Sequence, residues 1–146
     1  MYTTNIRVYA IIINDKKQVL LSDELRFGQA FTKFPGGGLE WGEGTKDCLQ
    51  RELKEELDLE VEVGDLFYVN DFAQLSAFKK NDQLFSFYYF VNQIDFESIK
   101  TTNHKFPLTE EGEKFRWVDL KDLSTTTVTF PIDKIVSQKL NKLQSE

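Results

Sequence analysis

A short run of carboxylates has the residue types and the spacing that divalent-metal chemistry requires. Glu52, Glu55 and Glu56 are three and four positions apart, so on a helix they share one face within roughly 100°. Like charges at this spacing repel one another, and a cluster kept against that cost is typical of a cation site. Oxygen ligands without cysteine or histidine favour Mg²⁺ or Mn²⁺. The alternative for these glutamates is a solvated helix face.

The segments around the carboxylates predict a glycine loop followed by a helix. Gly36, Gly37 and Gly38 allow close backbone approach and positive φ, and they present carbonyl and N–H groups to a metal or a phosphate. The helix is expected to begin with Thr45 as its N-cap and to end at Asp58. Leucines recur every fourth position and predict a buried stripe, formed by Leu49, Leu53 and Leu57. Cys48, on the same side, is interpreted as a packing residue.

The residues from Gly37 to Leu59 resemble the Nudix box. That motif reads Gly, five residues, Glu, seven residues, Arg-Glu, an aliphatic residue, one residue, Glu-Glu, one residue, Gly and an aliphatic residue. Asp58 stands where the family has its second Gly. The positions that match are Gly37, Glu43, Arg51, Glu52, Leu53, Glu55, Glu56 and Leu59. Phe34-Pro35 before the box and Glu113 to Leu123 after it also resemble the family.

The resemblance implies a pyrophosphatase-type hydrolase that cleaves a phosphoanhydride bond with water. Its expected substrate is a nucleoside diphosphate linked to another group, with ADP-ribose or nucleotide sugars and (d)NTPs as the leading classes. Its expected cofactor is Mg²⁺ or Mn²⁺, and its expected partner is a small nucleotide. Two other functions stay open. One is a Nudix-fold sensor that binds a nucleotide without cleaving it, and the other is an enzyme that trims RNA 5′ ends.

The resemblance also implies roles for individual residues of the box. Glu52 and Glu56 are the first candidates for metal ligands, Glu55 is an additional ligand, and the Gly36 carbonyl is a weaker candidate. Arg51 is placed with the catalytic residues. The resemblance gives it, together with Glu43, the task of orienting the carboxylates by hydrogen bonding.

The residue that activates water stays open at this point. Glu52 or Glu55 is expected to serve as the base, or a glutamate from a downstream loop takes this role: Glu110, Glu111 or Glu113.

Three residues outside the acidic cluster are weaker candidates for substrate binding. Lys33 and Arg26 approach the box from upstream and are candidates for phosphate contacts, with solvated surface charges as the alternative. Trp41 follows the glycines and either stacks on a base or sugar or packs against its own loop. His104, the one histidine, is expected on the surface.

The order of apolar and polar runs predicts a mixed α/β (α+β) domain, with a mixed sheet between helices. An interior strand is expected at Ile6–Ile13, with Val19–Leu21 returning as its hairpin partner, and the chain closes with a helix from Pro131. Further strands are expected at Phe31–Phe34, Glu60–Asp71, Leu84–Val91 and Lys114–Val118, and polar loops at Ser22–Ala30, Gln74–Gln83 and Asp95–Gly112. The resemblance implies a Nudix-type α/β/α sandwich, formed by residues 1–146 as a single domain.

Composition limits the classes of partner and compartment. A formal net charge of −6 and an isoelectric point near 4.9 argue against stable nucleic-acid binding, which usually needs a basic face. One cysteine excludes an intrachain disulfide framework and indicates a cytoplasmic protein. The first apolar run, Ile6–Ile13, is far too short to span a membrane, so no membrane association is expected. The family resemblance makes a homodimer an open expectation.

Overall fold

The computed structural model describes residues 1–92, 94–102 and 111–144 of the chain. Contacts divide the chain into two compact units, which we call the first unit (Met1–Ile11 with Gly36–Ile94) and the second unit (Ile12–Pro35 with Asp95–Glu146). The described residues form strands β1 (Thr3–Ile11), β2 (Gln18–Arg26), β3 (Gln29–Lys33), β4 (Gly36–Gly38), β5 (Glu62–Val69), β6 (Asp82–Asn92) and β7 (Gly112–Asp119), and helices α1 (Thr45–Leu57) and α2 (Pro131–Gln144). Whether residues 1–146 act as one domain stays a prediction.

The sheet of the first unit has the strand order β4-β1-β6-β5. β1 runs parallel to β6, and the other two pairs are antiparallel. β1 and β6 are the interior strands of this sheet, as their continuous apolar residues predict. Tyr88 of β6 and Val8 of β1 are completely buried. The glycine strand β4 is therefore an edge strand supported on one side by β1.

Helix α1 carries the acidic cluster, and it begins one residue earlier than predicted. Gly44, rather than Thr45, is its N-cap, with an extended backbone at φ −80° and ψ 169°. The Asp47 carboxylate reaches back and accepts a hydrogen bond of 3.0 Å from the Gly44 N–H, so an acidic group meets the helix N-terminus. The Thr45 hydroxyl instead forms a hydrogen bond of 2.6 Å with the Tyr89 hydroxyl. This bond ties the first turn of α1 to β6.

The second unit contains an antiparallel sheet with the strand order β3-β2-β7. The polar loop predicted at Ser22–Ala30 is wrong, because these residues form a hairpin between β2 and β3. Phe27 and Gly28 make its turn, with φ values of 53° and 74°, which suits a two-residue connection of twisted strands. β2 also pairs with β3 and β7 rather than returning along β1 as predicted, and its link to the end of the first apolar run is the bridge Ile13–Val19.

Helix α2 begins at Pro131, as predicted for a proline at the first helical position. Ile132, Val136 and Leu140 of the predicted stripe are buried, whereas Leu143 is exposed. Two sheets and two α-helices in the described residues confirm the mixed α+β class, although the strands form two sheets where the sequence indicated one. Neither described helix is both long and apolar enough to cross a membrane.

Candidate active site

Helix α1 places the three predicted carboxylates along one face at different depths. The leucine stripe holds this helix in place, since Leu49 and Leu53 are fully buried. The side chain of Glu52 is only 14% exposed, whereas that of Glu55 is 59% exposed. The Oε2 atom of Glu56 is buried. The site therefore presents acidic oxygens that range from buried to open.

Arg51 brings the acidic residues together. Its guanidinium donates two hydrogen bonds to Glu43, of 2.7 and 3.0 Å, a forked pairing that fixes both groups. It also donates to Glu52 Oε1 at 3.0 Å, to Glu55 Oε2 at 3.4 Å and to the Gly38 carbonyl at 3.0 Å. Arg51 thus links the helix, the glycine strand and the loop between them.

The charge distribution follows this geometry. Hydrogen bonds from Arg51 and from the Glu40 N–H lower the pKa of Glu43 to about 2, and the bond to Glu43 is the largest cause that raises the pKa of Arg51. Burial and the neighbouring Glu43 raise the pKa of Cys48 to about 12. Cys48 is completely buried, so it is a packing residue with a protonated thiol, as predicted.

The glycines of β4 leave room that side chains would fill. A Cβ atom on Gly37 would lie 2.7 Å from Glu52 Oε2 and overlap that carboxylate. A Cβ atom on Gly36, whose φ is 145°, would come within 2.8 Å of the Tyr9 Cα atom. Gly36 therefore lets β4 approach β1 closely, and Gly37 lets the Glu52 carboxylate lie against the strand.

The donor set suits a hard divalent cation. Within residues 1–92, 94–102 and 111–144, no group of three or more His, Cys, Asp or Glu side chains forms a preformed metal site. The cluster is organised by Arg51, whose guanidinium lies among Glu43, Glu52 and Glu55. Carboxylate oxygens are nonetheless the ligands that Mg²⁺ and Mn²⁺ prefer. The space at Gly37 accommodates the Glu52 carboxylate, and so the residues present fit the predicted cofactor.

Trp41 is fully exposed, so packing against its loop, one of its two predicted roles, is wrong. The loop itself is well anchored. The Glu43 N–H donates to the Glu40 carbonyl at 3.3 Å, and the Glu40 N–H donates to Glu43 Oε1 at 2.8 Å. A large aromatic surface is thus presented to solvent by a turn that is fixed to the acidic cluster.

Lys33 and Arg26 lie in the second unit, and both contact Glu24. Lys33 Nζ is 3.0 Å from Glu24 Oε2, with a side chain only 7% exposed. Arg26 Nε is 2.7 Å from Glu24 Oε1, and its side chain is 52% exposed. Neither is an isolated surface charge, the alternative considered from the sequence. The carboxylate of Glu24 offsets part of the positive charge that a phosphate would need.

The downstream glutamates have different surroundings in the second unit. Glu111 Oε1 accepts a hydrogen bond of 2.9 Å from the Phe27 N–H. Glu113 Oε2 accepts one of 2.6 Å from the Ser22 hydroxyl, and burial and Glu24 raise the pKa of Glu113 to about 6. Glu110 and His104 lie outside the described residues.

Sequence reasoning missed the charged residues inside β2. Asp23 and Glu24 are buried, and Asp23 is paired with Arg116 at 2.6 Å. The available signal was Gly28, a residue that readily adopts the positive φ of a two-residue hairpin turn. The polar residue types around Gly28 concealed this signal.

Comparisons with known proteins place this geometry in context. The family model described as NUDIX domain matches residues 3–139 of the chain. The chain is 43% identical over 61 residues to a protein named RNA pyrophosphohydrolase from Ruthia magnifica subsp. Calyptogena magnifica. This match covers 42% of the chain and 32% of that relative, so the matched segment spans about a third of the relative's length.

Two solved structures are similar along nearly the whole chain. The MutT protein from Methanosarcina mazei Go1 has a TM-score of 0.71 and 19% identity, covering 99% of this chain and 98% of that one. A MutT structure from work on the Aliivibrio salmonicida and Vibrio cholerae proteins has a TM-score of 0.68 and 22% identity, covering 96% of this chain and 98% of that one. At these identities the likeness shows a shared fold.

Proposed function

Because the chain belongs to the NUDIX domain family, we propose that it is a metal-dependent pyrophosphohydrolase. It uses water to cleave a phosphoanhydride bond in a nucleoside diphosphate linked to another group. The observation that carries this proposal is the carboxylate cluster on α1, held together by Arg51. The relatives named pyrophosphohydrolase and MutT support the same enzyme class.

The proposed cofactor is Mg²⁺ or Mn²⁺, held by Glu52 and Glu56 with Glu55 as an additional ligand. The Gly36 carbonyl is a weaker candidate ligand. When bound, such a cation neutralises phosphate charge and polarises the bond to be broken. The graded exposure of the glutamates supports this assignment, because a partly buried carboxylate holds a cation while an open one reaches the substrate.

The residues of the chain share the remaining tasks. Arg51 and Glu43 position the ligand carboxylates, as their forked hydrogen bonds support. Glu52 or Glu55 accepts the proton of the attacking water, or one of the downstream glutamates does: Glu110, Glu111 or Glu113. The raised pKa of Glu113, about 6, suits a group that exchanges a proton near neutral pH.

The proposed substrates are small nucleotides, of the ADP-ribose or nucleotide-sugar class or the (d)NTP class. The fully exposed Trp41 supports stacking on a base or sugar, because an indole ring gains by covering its apolar face. Lys33 and Arg26 are retained as phosphate contacts of second rank, since each is already engaged with Glu24.

A second candidate function is hydrolysis of the 5′-terminal phosphates of RNA. The observation that favours it is the 43% identity with a protein named RNA pyrophosphohydrolase. The net charge of −6 weighs against it, since RNA binding relies on cationic contacts.

We further propose that the protein is cytoplasmic and forms a homodimer. Light scattering of the purified protein tests the oligomeric state.

The deciding experiment is a phosphate-release screen with Mg²⁺ and with Mn²⁺. It covers (d)NTPs, ADP-ribose, nucleotide sugars and a 5′-triphosphorylated RNA, with phosphatase added in a second step to reveal nucleoside monophosphates. Glu56→Gln is the matched control, because it keeps the shape of the side chain and removes its charge. Turnover of one class, lost in Glu56→Gln, is the expected result. Equal turnover by the wild type and Glu56→Gln would show that Glu56 is not needed at the site. If no substrate is turned over, the proposal that the protein is an enzyme is wrong.

A further inference from the structure

A cleft lies in the first unit, at the end of its sheet where β1 begins. Its volume is about 340 Å³, and its walls include Tyr2, Leu75, Lys80, Asn81 and Gln83. Sites for small molecules have volumes of roughly 300–1,000 Å³. The lining residues include none of the glutamates proposed as metal ligands. The cleft is therefore a separate place to look for a ligand.

Strand register brings the walls of the cleft together. Thr4 of β1 lies opposite Gln83 of β6, and Gln83 forms an antiparallel bridge with Leu75. Residues opposite each other in a sheet direct their side chains to the same face, and so do residues two positions apart on a strand. Tyr2, two positions before Thr4, thus belongs to the same face as Gln83 and Leu75.

The apolar walls of the cleft are open to solvent. Tyr2 is 87% exposed and Leu75 is 62% exposed. Large apolar side chains gathered at one exposed place are typical of a binding site. A tyrosine ring offers a flat surface on which a nucleobase stacks, and the leucine extends the apolar contact.

The amide groups of the cleft are available for hydrogen bonds to a ligand. The side chain of Asn81 is exposed and forms no hydrogen bond with the residues that the structure describes. Gln83 Nε2 donates a hydrogen bond of 2.8 Å to Thr4 Oγ1, which orients the Gln83 amide. A side-chain amide has a carbonyl oxygen and two N–H donors. These groups match the mixed donors and acceptors on the edge of a nucleobase.

The charge in the cleft is positive. The ammonium of Lys80 forms no ion pair with the described residues, and no described lining residue carries a carboxylate. Asp82 lies close in sequence, but its carboxylate accepts a hydrogen bond from the Thr3 hydroxyl. Asp82 and Thr3 are paired in register one position away from Gln83 and Thr4, so they face the other side of the sheet. Lys80 can therefore meet a phosphate.

We propose that this cleft binds a nucleoside monophosphate. The base stacks on Tyr2, the amides of Asn81 and Gln83 contact its polar edge, and the phosphate lies at Lys80. Tyr2 is six positions from Val8, which pairs with Gly37 beside the acidic cluster. At about 3.3 Å per residue this separates the cleft from Gly37 by about 20 Å along the strand. The site thus goes beyond the proposed function.

The test is a nuclear magnetic resonance titration of the isotope-labelled protein with AMP, with EDTA present so that no metal contributes. The side-chain amide signals of Asn81 and Gln83 report on the cleft, and the backbone amide of Gly37 reports on the acidic cluster. AMP added to about 10 mM detects even a millimolar site. We expect AMP to shift both cleft signals and ribose 5-phosphate to leave them unchanged. Adenosine should bind about two- to fivefold more weakly than AMP, as for loss of one exposed charge contact.

Two pairs of variants test the stacking and the charge separately. Tyr2→Ala should weaken AMP binding in the cleft by about five- to hundredfold, the range for loss of one stacked base, whereas Tyr2→Phe retains most of the affinity. Phe78→Ala is the matched control, because Phe78 is 48% exposed in the same connection between β5 and β6 but does not line the cleft. Lys80→Met should weaken AMP binding by about two- to fivefold and leave adenosine binding unchanged. Its control is Lys79→Met, since Lys79 is exposed beside Lys80 and does not line the cleft.

The inference is wrong if AMP leaves the Asn81 and Gln83 signals unmoved, or if ribose 5-phosphate moves them as strongly as AMP does. It is also wrong if Tyr2→Ala binds AMP as tightly as wild type, or if Phe78→Ala causes an equal loss. The test is independent of turnover. A protein that hydrolyses nothing yet binds AMP in the cleft would refute the proposed enzyme and retain this site. An active enzyme with unmoved cleft signals would do the reverse.

Discussion

Arg51 and Glu43 are joined by two parallel hydrogen bonds, from Nη2 to Oε1 at 2.7 Å and from Nε to Oε2 at 3.0 Å. The same guanidinium donates to Glu52 Oε1 and to the Gly38 carbonyl, each at 3.0 Å. Glu43 thereby fixes the guanidinium plane, and the guanidinium fixes Glu52 against the glycine strand. The position of a proposed metal ligand depends on a carboxylate nine residues earlier in the sequence.

We expect Glu43→Gln to lower kcat by about ten- to hundredfold, the usual cost of losing a residue that orients a ligand. An amide cannot accept both hydrogen bonds of the fork, so Arg51 and with it Glu52 lose their fixed orientation. The apparent affinity for Mg²⁺ should fall with kcat, while KM for the nucleotide changes less. Steady-state kinetics over a metal titration measure all three quantities.

Glu40→Gln is the control for this substitution. Glu40 is also near Arg51, at 3.6 Å, but its side chain is 67% exposed, and exposed ion pairs of this kind contribute little. The kcat of the Glu40→Gln variant should remain within about twofold of wild type. Equal losses in the two variants would show that general negative charge, rather than the forked pair, is what matters.

The Glu24–Glu113 pair makes stability depend on pH. Burial and the hydrogen bond with Glu24 raise the pKa of Glu113 from 4.5 to about 6, so between these values the folded state binds more protons than the unfolded state. The contribution of Glu113 is then fully present below pH 4.5 and is lost as the pH rises through 6. Glu113→Gln, which mimics the protonated form, should remove this loss. At pH 7 it should raise the free energy of unfolding by about 1–2 kcal/mol.

Urea denaturation at several pH values from about 4 to about 8 measures how the free energy of unfolding depends on pH. Glu111→Gln is the control, since Glu111 is exposed to solvent. A Glu113→Gln protein whose stability still declines between pH 4.5 and 6 would contradict the assignment.

At lower pH the sign reverses because of Glu24. Burial acts to raise its pKa, but the Lys33 ammonium and hydrogen bonds from its neighbours outweigh this and lower the value from 4.5 to about 2. Stability from Glu24 is therefore present above pH 4.5 and lost as the pH falls through 2. We expect Lys33→Met to shift acid unfolding to higher pH, which circular dichroism during acid titration measures. Unaltered acid unfolding would mean that Lys33 does not hold the carboxylate ionised.

Asp58 occupies a backbone conformation that favours glycine, with φ 54° and ψ 37° at the end of α1. Its N–H closes the helix on the carbonyls of Leu53 and Lys54, and its carboxylate forms an exposed ion pair of 2.8 Å with Lys54. Exposed ion pairs contribute little to stability, whereas glycine adopts this conformation without a steric cost.

We expect Asp58→Gly to raise Tm by about 2–4 °C without changing kcat. Asp58→Ala should lower Tm, because alanine loses the ion pair and does not adopt a positive φ as easily as glycine does. A higher Tm for Asp58→Ala than for Asp58→Gly would contradict this reasoning.

The sequence predicted the helix that carries the glutamates well, because the geometry of a helix is local. Glu52, Glu55 and Glu56 share a helix with Arg51, and helical periodicity alone brings them to one side. The interior position of β6 followed from its continuous apolar residues, and Pro131 marked the start of α2. Each of these features depends on residues within a few positions of one another.

The second sheet could not be predicted because its polar residues are paired across the chain. Asp23 is buried on Arg116, which is 93 positions away, and Ser22 donates to Glu113, which is 91 positions away. Without those partners, burial of Asp23 would cost several kcal/mol, so a polar run predicts a loop.

A substitution at Trp41 can change substrate binding without changing stability, because its fully exposed ring contributes no packing that the substitution could remove. We expect Trp41→Ala to leave Tm within about 1–2 °C of wild type, as for surface substitutions. If the indole stacks on the substrate, KM should rise by about five- to hundredfold, the range for loss of one stacked base, while Trp41→Phe retains part of the affinity. The control is Phe27→Ala, which removes another exposed aromatic ring, at the hairpin turn of the second unit, and should not alter KM. Parallel changes in both variants would point to a general effect of surface aromatics, and an unchanged KM in Trp41→Ala would leave the exposed indole without a role in substrate binding.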